Sequence, residues 1–214
     1  EYSDALPGIT PDDPEPNVDF DFAFEELKWN VWVDPSTPLP SLFDDALDDY
    51  NPVGAYEGAR YLETGIYRPA PSCMMRGVIF DFCAVCREAL VLTVHDWVEL
   101  IDAVIPSTQT VIVDRQDPSS HAVYFEVTTP DIGDATGLSV TWFLDSDEVG
   151  SGTSLELSLA DFGPANGTRQ VRCEVSDRTA WVRNDPLESL TTVHSWEVQV
   201  TGSLPDAGVV VDAS

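Results

Sequence analysis

"FCAVCREALVLTVHDWVELIDAV", residues 82–104, contains neither Pro nor Gly. Its apolar residues recur at Val85, Ala89, Leu92, Trp97, Leu100 and Val104. That spacing is close to the 3.6-residue period of an amphipathic helix. It predicts one long helix over roughly 83–104. Pro106 stops it, because proline has no amide to give and its ring crowds the preceding turn. The rest of the fold reading hangs on this segment. A long helix here closes a first domain and places a boundary near Ile105–Thr108.

The helix opens on a C-x-x-C, Cys83 and Cys86, and Cys73 precedes it in "SCMMRG". Three chemistries suit such a group. A thioredoxin-like redox motif needs a βαβ unit around it, and no such pattern flanks these residues. A zinc knuckle needs four ligands, usually as two pairs. Here there are three cysteines, with His95 the nearest histidine in sequence, so the zinc reading is a Cys₃His site. In the structural reading, Cys73 pairs with Cys83 or Cys86 and staples a loop to the helix start. Closing a loop of that size contributes roughly 2–3 kcal/mol. The structural reading takes precedence, and the pairing stays open between the two partners.

Upstream, residues 1–20 are rich in Pro, Asp and Gly and read as an irregular surface loop. Phe24, Leu27 and Val31 fall at helical spacing, which predicts a short helix over Phe24–Val33, broken by Pro35, Pro38 and Pro40. "LFDDALDDY", residues 42–50, reads as a loop or one helical turn. Downstream of 108 the pattern changes class. "TVIVD", "AVYFEVTT", "LSVTWFLD", "TSLELSL", "RQVRCEVSD", "AWVRND" and "HSWEVQV" are short β-rich runs separated by turn signals. Alternation is clear at Val123, Phe125 and Val127 and at Leu155, Leu157 and Leu159. Such a series predicts an antiparallel, immunoglobulin-like β-sandwich. Trp142 falls on the third run and Cys173 on a later one, but the second run offers Tyr124 and Phe125 instead of a partner cysteine. Cys173 therefore reads as a small buried hydrophobe. The expected fold class is α+β: a loop-rich domain with one long helix, residues 1–105, an all-β sandwich, 108–201, and a flexible tail, 202–214.

Composition narrows the function classes. The formal net charge is −28. A field of that sign repels nucleic acid and anionic membrane surfaces, and a solvated acidic surface is its simplest reading. No D-x-[DN]-x-[DN]-G calcium loop is present. No apolar run approaches the 18 residues of a membrane-spanning helix. Four cysteines in an acidic, Trp-rich chain with Pro-rich loops point to an exported protein. The chain starts at Glu1 without a leader and reads as a mature form or a piece of a longer protein. His95, His121 and His194 have no partners at ligand spacing. No G-x-S-x-G, H-E-x-x-H or Gly-rich phosphate loop occurs. "NGT" at Asn166–Thr168 is a glycosylation acceptor triplet that only a eukaryotic secretory route would use. On residue chemistry alone the chain carries no self-sufficient active site.

Five phrases stand in order: "EYSD" at Glu1–Asp4, "KWNVWV" at Lys28–Val33, "GAYEGARYLETGIYRP" at Gly54–Pro69, "CMMR" at Cys73–Arg76 and "FCAVCREAL" at Phe82–Leu90. Together, over residues 1 to about 104, they resemble the C-terminal part of the IgA-peptidase-type zinc metallopeptidases, which are metzincin-like. The resemblance implies an upstream H-E-x-x-H helix that carries two zinc ligands and the general base and lies before Glu1. Glu1 resembles the end of the phrase that follows this helix, at or next to a third ligand. It implies that Met75 is the methionine of the turn beneath the metal, an apolar floor and not a ligand. Cys73, Cys83 and Cys86 then hold that turn against the helix. Tyr67 and Arg68 lead into it along the cleft, Arg68 meeting a substrate carboxylate or, preferably, a structural acid. The whole protein is expected to be a secreted or cell-surface zinc endopeptidase acting on protein or peptide substrates through zinc-activated water. This chain alone is expected to hold no zinc and to be inactive. The rival reading is a non-enzymatic extracellular binding or adhesion protein with a β-sandwich module.

Overall fold

The computed structural model describes residues 15–43, 52–77, 81–120, 122–130 and 138–202. Glu1, most of the expected N-terminal loop and of "LFDDALDDY", His121, and the tail from 203 lie outside the described residues. The chain divides into two compact units, Glu1–His95 with Ala180–Pro186, and Asp96–Thr179 with Leu187–Ser214. This division comes ten residues before the Ile105 end of the expected first domain. No helix among the described residues is long and apolar enough to cross a membrane.

The first unit is built around a hairpin of β1 (Tyr56–Ala59) and β2 (Leu62–Arg68). Arg60 and Tyr61 both adopt positive φ, as a two-residue turn matched to strand twist requires. Gly58, at φ 94°, sits where the register shifts between Glu57 and Ala59. Isolated bridges Asp19–Tyr67 and Ser41–Tyr56 attach the flanking loops. Leu27, Trp29, Val33, Ala55, Tyr67 and Val85 form the core of this unit. The Trp29 indole N–H is satisfied by the Gly54 carbonyl at 2.7 Å.

The short helix expected over Phe24–Val33 is absent. Turns and a single 3-10 turn at Asn30–Trp32 replace it. The Asp21 carboxylate takes the Phe22 and Ala23 amides, and this local competition favours a turn over a helical ladder. Phe24 and Val31 are left exposed while Leu27, Trp29 and Val33 are buried. Of the three residues at helical spacing only Leu27 joins the core, with Trp29 and Val33 from outside that pattern.

The long helix is shorter than expected. α1 spans Ala84–His95, not 83–104. Residues 96–102 are irregular and β3 (Ala103–Ile105) belongs to the second unit. Leu100, 2% exposed, sits in the core of that unit, and the Asp102 amide donates to Thr128 O at 2.8 Å. Trp97, placed on the same helical stripe, is 86% exposed. β-branched Val98, Ile101, Val104 and Ile105 favour extended backbone, and ladder bonds and core burial outweigh the apolar period.

The second unit has two sheets. β4 (Thr110–Asp114), β10 (Thr191–Thr201), β9 (Gly167–Asp177), β6 (Leu138–Leu144) and β7 (Asp147–Ser151) form one, in that order. β3, β5 (Ala122–Thr128) and β8 (Ser154–Ser158) form the other. One core draws Phe125, Val127, Leu155 and Leu157 from the smaller sheet and Trp142, Val171, Cys173 and Trp196 from the larger. The alternation in β5 and β8 therefore reports one buried face per strand. Trp142 and Trp196 stack at 5.8 Å, with Phe125 edge-on to Trp196 at 5.2 Å. The arrangement is not wholly antiparallel, because β10 pairs β4 in parallel. β4 enters from the opposite sheet and not through a hairpin, so nothing forces it to reverse direction. "AWVRND" is not a strand; residues 180–186 cluster with the first unit.

Candidate functional site

The site lies in the first unit, where "SCMMRG" meets the start of α1. The chain turns at Cys73–Arg76, with the Cys73 carbonyl accepting from the amides of Arg76 at 2.8 Å and Gly77 at 3.1 Å. The Met74 amide donates to Asp81 O at 3.0 Å and holds this turn beside the residues that lead into the helix. Cys83 immediately precedes α1 and Cys86 follows one turn later, so both thiols fall on one side of the helix start. The Cys83 amide donates to Cys73 Sγ at 3.3 Å. Cys73 Sγ and Cys86 Sγ are 3.5 Å apart. All three sulfurs lie within 4.8 Å of one another.

No sulfur pair is bonded; Cys73, Cys83, Cys86 and Cys173 are all free thiols. The three thiols of Cys73, Cys83 and Cys86 converge at one point. Their acidities are pulled apart. The hydrogen bond from the Cys86 thiol, with others from backbone and Cys73, holds the Cys83 thiol well below its ordinary range. Cys86 itself moves upward, through that same bond, burial and the neighbouring sulfurs. In the second unit, Cys173 is fully buried and its thiol is pushed up to about 12 by burial alone.

The three cysteines line a cavity of about 660 Å³, together with Met75, Arg68 and Arg76. Met75 is 65% exposed. It sits in the Cys73–Arg76 turn and lines the cavity. Arg68 also faces the cavity, and its guanidinium donates to the carbonyls of Glu57 and Gly58. It therefore binds the backbone of the β1 bulge while lining the cavity. Tyr67 is buried on the other side of the hairpin strand, with Phe22 against its ring at 5.2 Å, and lines no part of this cavity.

One residue escaped the sequence reading. Glu88 is a buried carboxylate on α1. Its Oε2 accepts from the Trp32 indole at 2.6 Å, and its Oε1 accepts from the amides of Arg183 at 2.6 Å and Asn184 at 2.8 Å. A signal did exist: Glu88 stands three residues after Val85 and four before Leu92, a charge on the apolar stripe of the helix.

A family model described as IgA peptidase M64 matches residues 41–94. M64 is a family of zinc metallopeptidases, so the match supports a metallopeptidase-related origin for this part of the chain. The matched stretch contains the hairpin, the Cys73–Arg76 turn, the three clustered cysteines and nearly all of α1. It does not reach the second unit. No curated protein matches the chain. Among solved structures, an extracellular domain assigned to a hybrid two-component system of B. thetaiotaomicron matches at 12% identity and a TM-score of 0.29. The match covers 48% of this chain and 13% of that one, so the present chain spans a small part of its length.

Proposed function

We propose that the chain is the C-terminal part of a secreted zinc-dependent endopeptidase of the IgA-peptidase type. In this reading residues 15–95 supply the methionine turn and one wall of the active-site cleft. The observation that carries it is the coincidence of the family match over 41–94 with a Cys73–Arg76 turn that presents Met75 to an open cavity. Its zinc ligands and general-base glutamate belong to an H-E-x-x-H helix, which is not in this sequence. The described residues do not fit a catalytic zinc. Such sites take imidazole and carboxylate ligands with one open position, whereas the cluster of three ligand side chains found here is all cysteine. What this chain contributes is shape. Arg68 clamps the Gly58 bulge, the bulge and hairpin form one wall, and the thioether of Met75 offers an unbranched apolar surface to whatever packs above it.

The second unit is read as an immunoglobulin-like module for spacing or substrate capture. Its larger sheet follows the order of the G, F, C and C′ strands of that fold in β10-β9-β6-β7, and its smaller sheet follows A-B-E in β3-β5-β8. Trp142 lies directly across from Cys173 in the β6–β9 ladder, the positions at which that fold places its strand-C tryptophan and second cysteine. Phe125 occupies the core in place of a first cysteine.

The test is peptide hydrolysis. The natural protein that contains this chain is expected to cleave protein or peptide substrates and to lose that activity with a zinc chelator. The 214-residue chain alone is expected to cleave none. Cleavage by the isolated chain, or chelator-insensitive activity of the natural protein, refutes the reading.

A further inference from the structure

We propose that Cys73, Cys83 and Cys86 form a three-thiolate site for a single thiophilic d¹⁰ cation, zinc(II) being the probe, separate from the catalytic zinc. The argument rests on geometry. A zinc–sulfur bond is about 2.3 Å long, so two thiolates on a tetrahedral zinc stand about 3.8 Å apart. Cys73 Sγ and Cys86 Sγ are 3.5 Å apart and no sulfur pair exceeds 4.8 Å. Small side-chain rotations bring all three onto one ion. A disulfide uses two sulfurs and gives no reason for the third to converge.

The surroundings suit a metal as well. The Cys83 amide already donates to Cys73 Sγ, an outer-shell bond of the kind that orients a ligating sulfur. Three thiolates on a divalent ion leave one net negative charge. Arg68 and Arg76 line the same cavity, and the buried Arg68 Nε has no hydrogen-bond partner among the described residues. Cys83 is only partly buried and the three cysteines open on that cavity. The fourth coordination position therefore faces the cavity, where water or a polar group of another segment completes it. The ion ties the Cys73–Arg76 turn to the start of α1, the task that the sequence assigns to a disulfide. This departs from the expectation that the chain holds no zinc, because the sequence could not show three sulfurs at one point.

The experiment is a titration of the reduced, full-length chain with cobalt(II), followed by displacement with zinc(II). A thiolate-to-cobalt charge-transfer band saturating at one equivalent, and abolished by zinc, is the expected result. Cys83→Ser and Cys86→Ser each weaken binding by about a hundredfold or more, while Cys173→Ala leaves it unchanged. If the serine variants fail to fold, X-ray absorption of the wild-type zinc form decides, with three sulfur scatterers expected. The absence of a charge-transfer band while all four thiols titrate as free overturns the proposal. So does a native disulfide within 73–86, or bound zinc without sulfur ligands. None of these outcomes bears on peptidase activity, so this site and the proposed function stand or fall separately.

Discussion

Replacing Glu88 by alanine tests whether one buried carboxylate holds three segments of the first unit together. The change strands three donors at once: the Trp32 indole N–H and the amides of Arg183 and Asn184. Hydrogen bonds to a charged acceptor contribute about 1.5–3 kcal/mol each. Arg183 and Asn184 are exposed, so water can rescue their amides and most of their share is recovered. Trp32 is partly buried beneath the Arg183 guanidinium, 4.1 Å from its ring centroid, and its N–H is harder to hydrate. The net loss expected for Glu88→Ala is therefore about 2–4 kcal/mol. Glu88→Gln keeps the volume but turns an NH₂ towards at least one donor, so it loses about half as much. Urea denaturation followed by tryptophan fluorescence measures this. With a slope of about 2 kcal/mol/M, the midpoint for alanine falls by about 1–2 M. Amide exchange along Ala84–His95 should accelerate in the same variant, and exposed Glu26→Ala provides the control. A Glu88→Ala protein within about 0.5 kcal/mol of wild type, the range of ordinary surface substitutions, refutes the reasoning.

Two further outcomes follow from residues elsewhere in the fold. The Cys173 thiol titrates at about 12 in the folded state and near 8.5 when unfolded. Between those values the folded chain keeps a proton that the unfolded chain has lost, so stability falls as pH rises. The midpoint of wild type should drop relative to Cys173→Ala between about pH 8 and about pH 10.5; a constant difference refutes the assignment. At Gly54 an added Cβ would overlap the Ser41 hydroxyl, which accepts from the Ala55 amide and donates to Pro38 O. At Gly65 an added Cβ meets nothing within 4 Å, and only the φ of +76° opposes it. Gly54→Ala should therefore cost about 1–3 kcal/mol and Gly65→Ala about 1 kcal/mol. Thermal unfolding that ranks them the other way contradicts the packing argument.

The strands of the second unit were largely legible because their signal is local. Phe125 and Val127, or Leu155 and Leu157, alternate with polar neighbours, and a strand with one buried face must show that period. The parallel pairing of β4 with β10 was not legible, because strand direction depends on which sheet the chain has just left. The helix start at Cys83–Ala84 was legible from composition, but its end was not. Leu100 and Val104 satisfy a helical stripe and a β-core equally well, and only the Thr128 and Val127 partners across the ladder decide between them. Glu88 carried a weak mark as a charge on an apolar stripe, yet its partners lie 56, 95 and 96 residues away.

For the site the division is sharper. The sequence alone determined which chemistry is present: three cysteines near two methionines, no H-E-x-x-H, and a phrase order that leads to a metallopeptidase family. Residue type and spacing along the chain are local properties, so one strand of text suffices. Only the tertiary structure decided that the three thiols share one point, that Arg68 binds backbone carbonyls, and that Met75 stands open on a cavity. Those are distances between segments, set by how the Cys73–Arg76 turn packs against α1, and no period or motif along the chain encodes them.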